Sequence, residues 1–171
     1  MDPQALYQIT YGMYIITSIS GDRHNGQTAN TVFQTSNDPA TLAVSINKQN
    51  LTHDFIRSGN FFAVSVLEEA TPLSLIRHFG FRSGRNMDKF EGIDYSTTEN
   101  GLRYVAEHSL AYVEAHVVGE ADGGVHTIFL GRVTDSQVLK EGIPMTYDHY
   151  HRVKRGTAPD TAPIGVKKQS G

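Results

Sequence analysis

The chain has 171 residues, 39% of them hydrophobic and 19% charged, with a formal net charge of -3 and no cysteine. That length suits one domain that buries on the order of 70% of the surface its unfolded form exposes, and the mild negative charge gives no general pull toward nucleic acid. Without cysteine the sequence holds no disulfide, thiolate nucleophile, iron–sulfur cluster or tetrathiolate iron centre.

Taken in order, the elements are mostly strands punctuated by short helices. Asp2 and Pro3 start an amphipathic helix that Gly12 stops. The strand MYIITSIS follows, then a turn over Gly21 to Gly26 and a second strand, NGQTANTVFQTS, at 25–36. Asn37, Asp38 and Pro39 make the next turn, and TLAVSI is a nearly continuous apolar strand ending at Asn47. A short helix capped by Asn50 or Thr52 and stopped by Gly59 leads to the strand FFAVSVL. Thr71 and Pro72 open another short helix that ends at Gly80, followed by a long glycine-bearing loop. LAYVEAHVVGE and HTIFLGRVTDS then form a hairpin around ADGG. The run YDHYHRV reads as a further strand, and GTAPDTAPIGVKKQSG is linker-like. Many strands and few long helices favour a closed or nearly closed antiparallel barrel. No stretch approaches the roughly 18 apolar residues of a membrane span, and the N-terminus lacks the pattern of a secretory leader. The expected compartment is the cytoplasm.

Several segments carry chemistry. In NGQTANTVFQTS the residues Thr28, Ala29, Asn30 and Thr31 keep the surface shallow while offering hydroxyls, an amide and unhindered backbone N–H groups. That composition suits a flat, polar-edged ligand, and equally a threonine-rich edge strand. Asn47, Lys48 and Thr52 stand where a strand ends and a helix begins, a place whose unpaired backbone donors and positive dipole bind anions. The same Asn50 and Thr52 serve as ordinary caps. The loop HFGFRSGRNMDKF sets Ser83, Arg85 and Lys89 around two glycines, as a phosphate grip or as a solvated surface loop. GDRHNGQT imitates a nucleotide phosphate loop but has Gln27 in place of the required lysine. His149 and His151 fall on one face of the expected strand without identifiable third and fourth ligands, so no metal site is expected. Tyr147 and Tyr150 either border a ligand or pack at an interface. His126, at the start of HTIFLGRV, shares a face with Ile128 and Leu130, as a structural or a reactive histidine.

Taken together, NGQTANTV, SINKQNLTHDFI, HFGFRSGRNMDKF and GGVHTIFLGRV resemble the flavin reductase-like family of FMN-binding split barrels. The likeness is greatest to flavoredoxin and to the flavin domain of high-molecular-weight rubredoxins. It implies a mainly β, Greek-key-like antiparallel split barrel over residues 1–153, with 154–171 as a tail that packs on a partner chain. It also implies non-covalent FMN, reduction by NAD(P)H, and an acceptor such as free flavin, rubredoxin, another redox protein or a ferric chelate. An FMN electron carrier reduced by a partner is the alternative. By resemblance the cofactor-binding candidates are Thr28, Ala29, Asn30, Thr31, Ser45, Asn47, Lys48, Thr52, Ser83, Arg85, Lys89 and Tyr150, with His126 beside the nicotinamide and flavin. Val125 stands where the family pattern often has an acidic residue. Relatives complete the site with a second subunit, which implies a homodimer with Met145 to Pro163 reaching across.

Overall fold

The structure, a computed structural model, describes residues 2–163. Strands rich in β-branched and aromatic residues build one seven-stranded antiparallel sheet: β1 (Tyr14–Ser20), β2 (Arg23–Ala29), β3 (Val32–Asn37), β4 (Ala40–Asn47), β5 (Phe61–Leu67), β8 (Ser109–Gly123) and β9 (His126–Val138). Between β5 and β8 lie the two short strands β6 (Tyr95–Thr97) and β7 (Arg103–Val105), which pair only with each other. The sheet order is β2-β1-β5-β8-β9-β4-β3.

The two edge strands are consecutive in the chain. β2 ends at Ala29 and β3 begins at Val32, so Asn30 and Thr31 alone join opposite edges of the sheet. Such a short link forces the sheet to curl until its edges meet at one corner, where Ser45 N donates to Thr31 O at 3.2 Å. β2 and β3 do not pair with each other, so the barrel stays split and is not closed. The stretch 25–36, expected as one strand, is therefore two strands with the corner between them. β-Bulges at Gln34/Ser36, Val66/Leu67, Glu114/Ala115 and Val117/Gly119 supply the bend.

β1 is buried on both faces. Ile16 joins Val44, Ile46, Ile56, Phe62, Val64, Ala115 and Phe129 in one cluster; Ile15 joins Met13, Leu67, Ile76, Phe79, Phe90, Val105, Met145 and Tyr150 in the other. Helix α1 (Leu51–Gly59) contributes Ile56 to the first cluster, and its Phe55 is buried as well. Its stop lies one residue beyond the expected glycine, because Asn60 takes the left-handed conformation (φ 58) and returns its N–H to Ile56 O at 2.9 Å. Helix α2 (Leu73–Phe81) covers the second cluster with Ile76 and Phe79. Phe79 and Phe90 meet edge to face with ring centroids 5.6 Å apart.

Other expectations change in the folded chain. The N-terminal helix is only a 3-10 segment, Pro3–Gln8. The loop after α2 contains the β6/β7 hairpin, which the buried Glu114 ties to the sheet. That carboxylate accepts from Thr98, from Asn100 Nδ2 at 2.6 Å and from Thr134 Oγ1 at 2.6 Å. The β8–β9 turn is just Gly124 and Val125, since Gly124 adopts φ 80 and the strand continues through Gly123. YDHYHRV is not a strand but the helix α3 (Tyr147–Arg152), nucleated by Thr146, whose hydroxyl accepts from His149 N at 3.1 Å. His149 pairs with Glu69 at 3.2 Å while His151 packs on Tyr147 and Tyr150, so the two histidines serve different neighbours. No helix among the described residues is long and apolar enough to cross a membrane.

Candidate functional site

A cavity of about 300 Å³ opens between β2, the start of α1, the loop after α2 and the segment after α3. That size is within the range of small-molecule sites. Met13, Ile76 and Phe79 give it an apolar floor.

The β2 wall carries Thr28, Ala29 and Asn30. Thr28 spends its hydroxyl on Ile76 O at 2.8 Å, which docks α2 on β2. Asn30 is 5% exposed; its Oδ1 accepts from Thr31 at 3.0 Å, and its Nδ2 has no partner among the described residues. Asn25 is likewise buried with Oδ1 unpartnered. The Gly84 loop packs on Asn25 Oδ1, whereas Asn30 is the buried amide with an idle donor on the cavity wall. Thr31 faces away from the cavity.

Ser45 and Asn47 come from β4, and Asn47 Oδ1 accepts from Gln49 N at 2.9 Å as the chain turns into α1. The Asn50 side chain makes no cap bond and donates to Gln27 Oε1 at 3.0 Å; His53 N donates to Asn50 O at 3.0 Å, which leaves the N–H groups of Leu51 and Thr52 for other acceptors. Thr52 lines the cavity there. Lys48 does not. Its Nζ lies 2.8 Å from Asp122 Oδ1 and its N–H donates to Val125 O, stitching the β8–β9 turn to the end of β4.

Across the opening stand Ser83 and Arg85. Ser83 Oγ accepts from Arg85 N at 3.2 Å, and Arg85 Nη2 reaches Asp54 Oδ2 at 3.2 Å while its side chain stays about half exposed. Lys89 is 2% exposed and turns inward, where its Nζ donates to Phe79 O at 2.8 Å and His78 O at 3.3 Å, placing a cation on the carbonyl end of α2. Burial, with Arg82 nearby, lowers its pKa to about 8.

His126 pairs in register with Asn47 on β4. Thr161 O sits against both, 3.2 Å from His126 Nε2 and 3.3 Å from Asn47 Nδ2. Burial lowers the His126 pKa, opposed by the contact with Thr161, so the ring is neutral near pH 7. Tyr150 OH donates to Thr157 O at 2.8 Å, and residues 157–163 lie along the cavity. The segment expected to reach a partner chain is thus laid over the cavity of its own chain. Lys167 and Lys168 of the expected tail lie outside the described residues.

The structure therefore gathers Thr28, Ala29, Asn30, Ser45, Asn47, Thr52, Ser83, Arg85, Lys89, His126 and Tyr150 around one space and leaves out Thr31 and Lys48. Asn25, which opens NGQTANTV without being a candidate itself, and the 157–163 segment, expected against a partner chain, join them. An asparagine inside a strand, where its propensity is poor, is the available signal for the first; nothing in GTAPDTAP signals the second.

A split antiparallel barrel with a cavity of mixed lining beside a helix start is shared with oxidoreductases of the flavin reductase type. The chain belongs to that family: the flavin reductase like domain matches residues 6–156. It is 61% identical over 163 residues to the high molecular weight rubredoxin of Moorella thermoacetica, covering 95% of this chain and 71% of that protein. It is 46% identical over 164 residues to the ferric-chelate reductase (NAD(P)H) of Archaeoglobus fulgidus, covering 96% and 97%. Among solved structures, the NADH:FAD oxidoreductase of Streptomyces globisporus superposes with a TM-score of 0.71 at 28% identity, over 81% of this chain and 85% of that one.

Proposed function

We propose that the cavity holds FMN without a covalent bond and that the protein passes electrons from NAD(P)H to an acceptor. The observation that carries this reading is a cavity of about 300 Å³ that meets the start of α1 and bears on its wall the buried Asn30, whose Nδ2 has no partner among the described residues. The flavin supplies the hydride and electron chemistry when bound. The chain's own residues bind and orient. Asn30 Nδ2 and the β2 backbone offer donors to a polar ring edge. Thr52, Ser83, Arg85 and the first N–H groups of α1 form the cradle for a phosphate. His126, neutral and buried at the β4/β9 end of the cavity, borders the face where a nicotinamide approaches. The likeness to an NAD(P)H ferric-chelate reductase supports a nicotinamide donor, and the likeness to a high molecular weight rubredoxin supports a protein acceptor.

Anaerobic titration of FMN-loaded protein with NADH and with NADPH tests the reading. Rapid loss of the oxidised flavin absorbance is the expected result. Protein that binds no flavin would overturn it. Contact of Thr161 with His126 favours one other reading, a flavin carrier reduced by a partner, and slow bleaching by both nicotinamides would select it.

A further inference from the structure

Asn25 stands in β2 at 3% exposure, and its Nδ2 donates to Thr52 Oγ1 at 2.8 Å. A threonine hydroxyl has one hydrogen and two lone pairs. With Asn25 donating onto a lone pair, the Thr52 hydrogen points elsewhere, and among the described residues no acceptor meets it. Thr52 is 1% exposed and lines the cavity at the first turn of α1 together with Ser83 and Arg85 of the facing loop, so its hydroxyl keeps a hydrogen for an acceptor in that space. The far side of Asn25 is shaped as closely. A Cβ at Gly84 would lie 1.9 Å from Asn25 Oδ1, so only glycine lets the loop come down on the amide.

From this geometry we infer that Asn25 is a positioning residue for phosphate recognition: its amide locks the Thr52 hydroxyl in the donor role toward a phosphate monoester. The inference rests on the proposed reading of this cavity as an FMN site. Asn25 acts through Thr52, and its removal frees the hydroxyl to rotate.

FMN and riboflavin, which differ only in the phosphate, separate the alternatives in a fluorescence titration of the full chain. Asn25→Ala should weaken FMN about tenfold and leave riboflavin within about twofold, since a hydrogen bond to a charged group is at stake. Asn25→Asp, which replaces the donor by an acceptor for the same hydroxyl, should weaken FMN further. Adding Asn25→Ala to Thr52→Val should cost nothing beyond Thr52→Val alone. Equal loss of both flavins, full additivity of the pair, or wild-type affinity in Asn25→Asp would overturn the positioning role. Should the alanine variant fail to fold, Asn25→Ser, too short to reach Thr52, is read the same way. Wild-type protein that binds riboflavin as tightly as FMN would instead overturn the phosphate reading itself.

Discussion

Arg85 carries the sharpest expectation among single residues. Among the described residues its half-exposed guanidinium is tied to Asp54 alone, so it turns to a phosphate at little cost, exchanging one carboxylate for a dianion. Arg85→Ala should weaken FMN by about 1.5 to 3 kcal/mol, which is roughly 10- to 100-fold in a fluorescence titration. His126 acts at the other end of the cavity. His126→Asn should slow flavin reduction by nicotinamide in stopped-flow while FMN stays bound, because the residue lies at the β4/β9 end and away from the phosphate cradle. The histidines also set an acid limit. Burial lowers the pKa of His126 and, together with Arg103, that of His24 below the ordinary 6.5. In the window below 6.5 the unfolded chain binds more protons than the native one, so stability falls as pH falls. A urea midpoint that drops between about pH 7 and pH 5, less steeply in the His126→Asn variant, is the expected result.

At the scale of elements, the end of α2 depends on a buried cation. Lys89 bonds the carbonyls of His78 and Phe79, and its pKa falls to about 8 from 10.5, chiefly through burial. Lys89→Met leaves those carbonyls unpaired and should destabilise the fold by about 1 to 3 kcal/mol in urea denaturation. The pH sign is distinctive. Between 8 and 10.5 the unfolded lysine holds its proton and the native one has lost it, so this residue's contribution to stability rises with pH across that window. The wild-type minus Lys89→Met difference should show the rise. The sequence sets Lys89 beside Ser83 and Arg85 as a cofactor-binding candidate; it lines the cavity while its Nζ bonds the end of α2. Helix α3 departs from its expected strand for a related reason. Tyr147 and Tyr150 look strand-like by propensity, but Thr146 caps the turn and Tyr150 buries its ring in the second core cluster.

For the whole molecule, curling of the sheet follows from the two-residue link between β2 and β3, and the cavity lies just below that corner. Around the corner a shallow groove runs past Ile9, Val32, Phe33 and Pro144, with Phe33 53% exposed. An apolar surface of this kind is where the homodimer expected from the family resemblance would bury area. Light scattering should give about twice the chain mass, and Phe33→Lys should shift the protein toward monomer if that face is the interface.

What the sequence determined by itself is the period of its strands, most of its turns and the family pattern, since these depend on neighbours a few residues apart; the turn expected over Gly21 to Gly26 is only two residues long, because β2 pairs with β1 from Arg23 onward. Alternation placed His126 at a strand start, and the small residues of TANT foretold a shallow wall. The separation of 25–36 into opposite edges of one sheet depended on which strands pair, a choice made by burial of Ile15 and Ile16 on two faces at once. Residues of one local pattern also parted company by direction alone: Lys48 turned to Asp122 and Thr52 to Asn25, although both stand at the start of the same helix. Only the tertiary structure decided this, because the partners of both residues come from strands far along the chain.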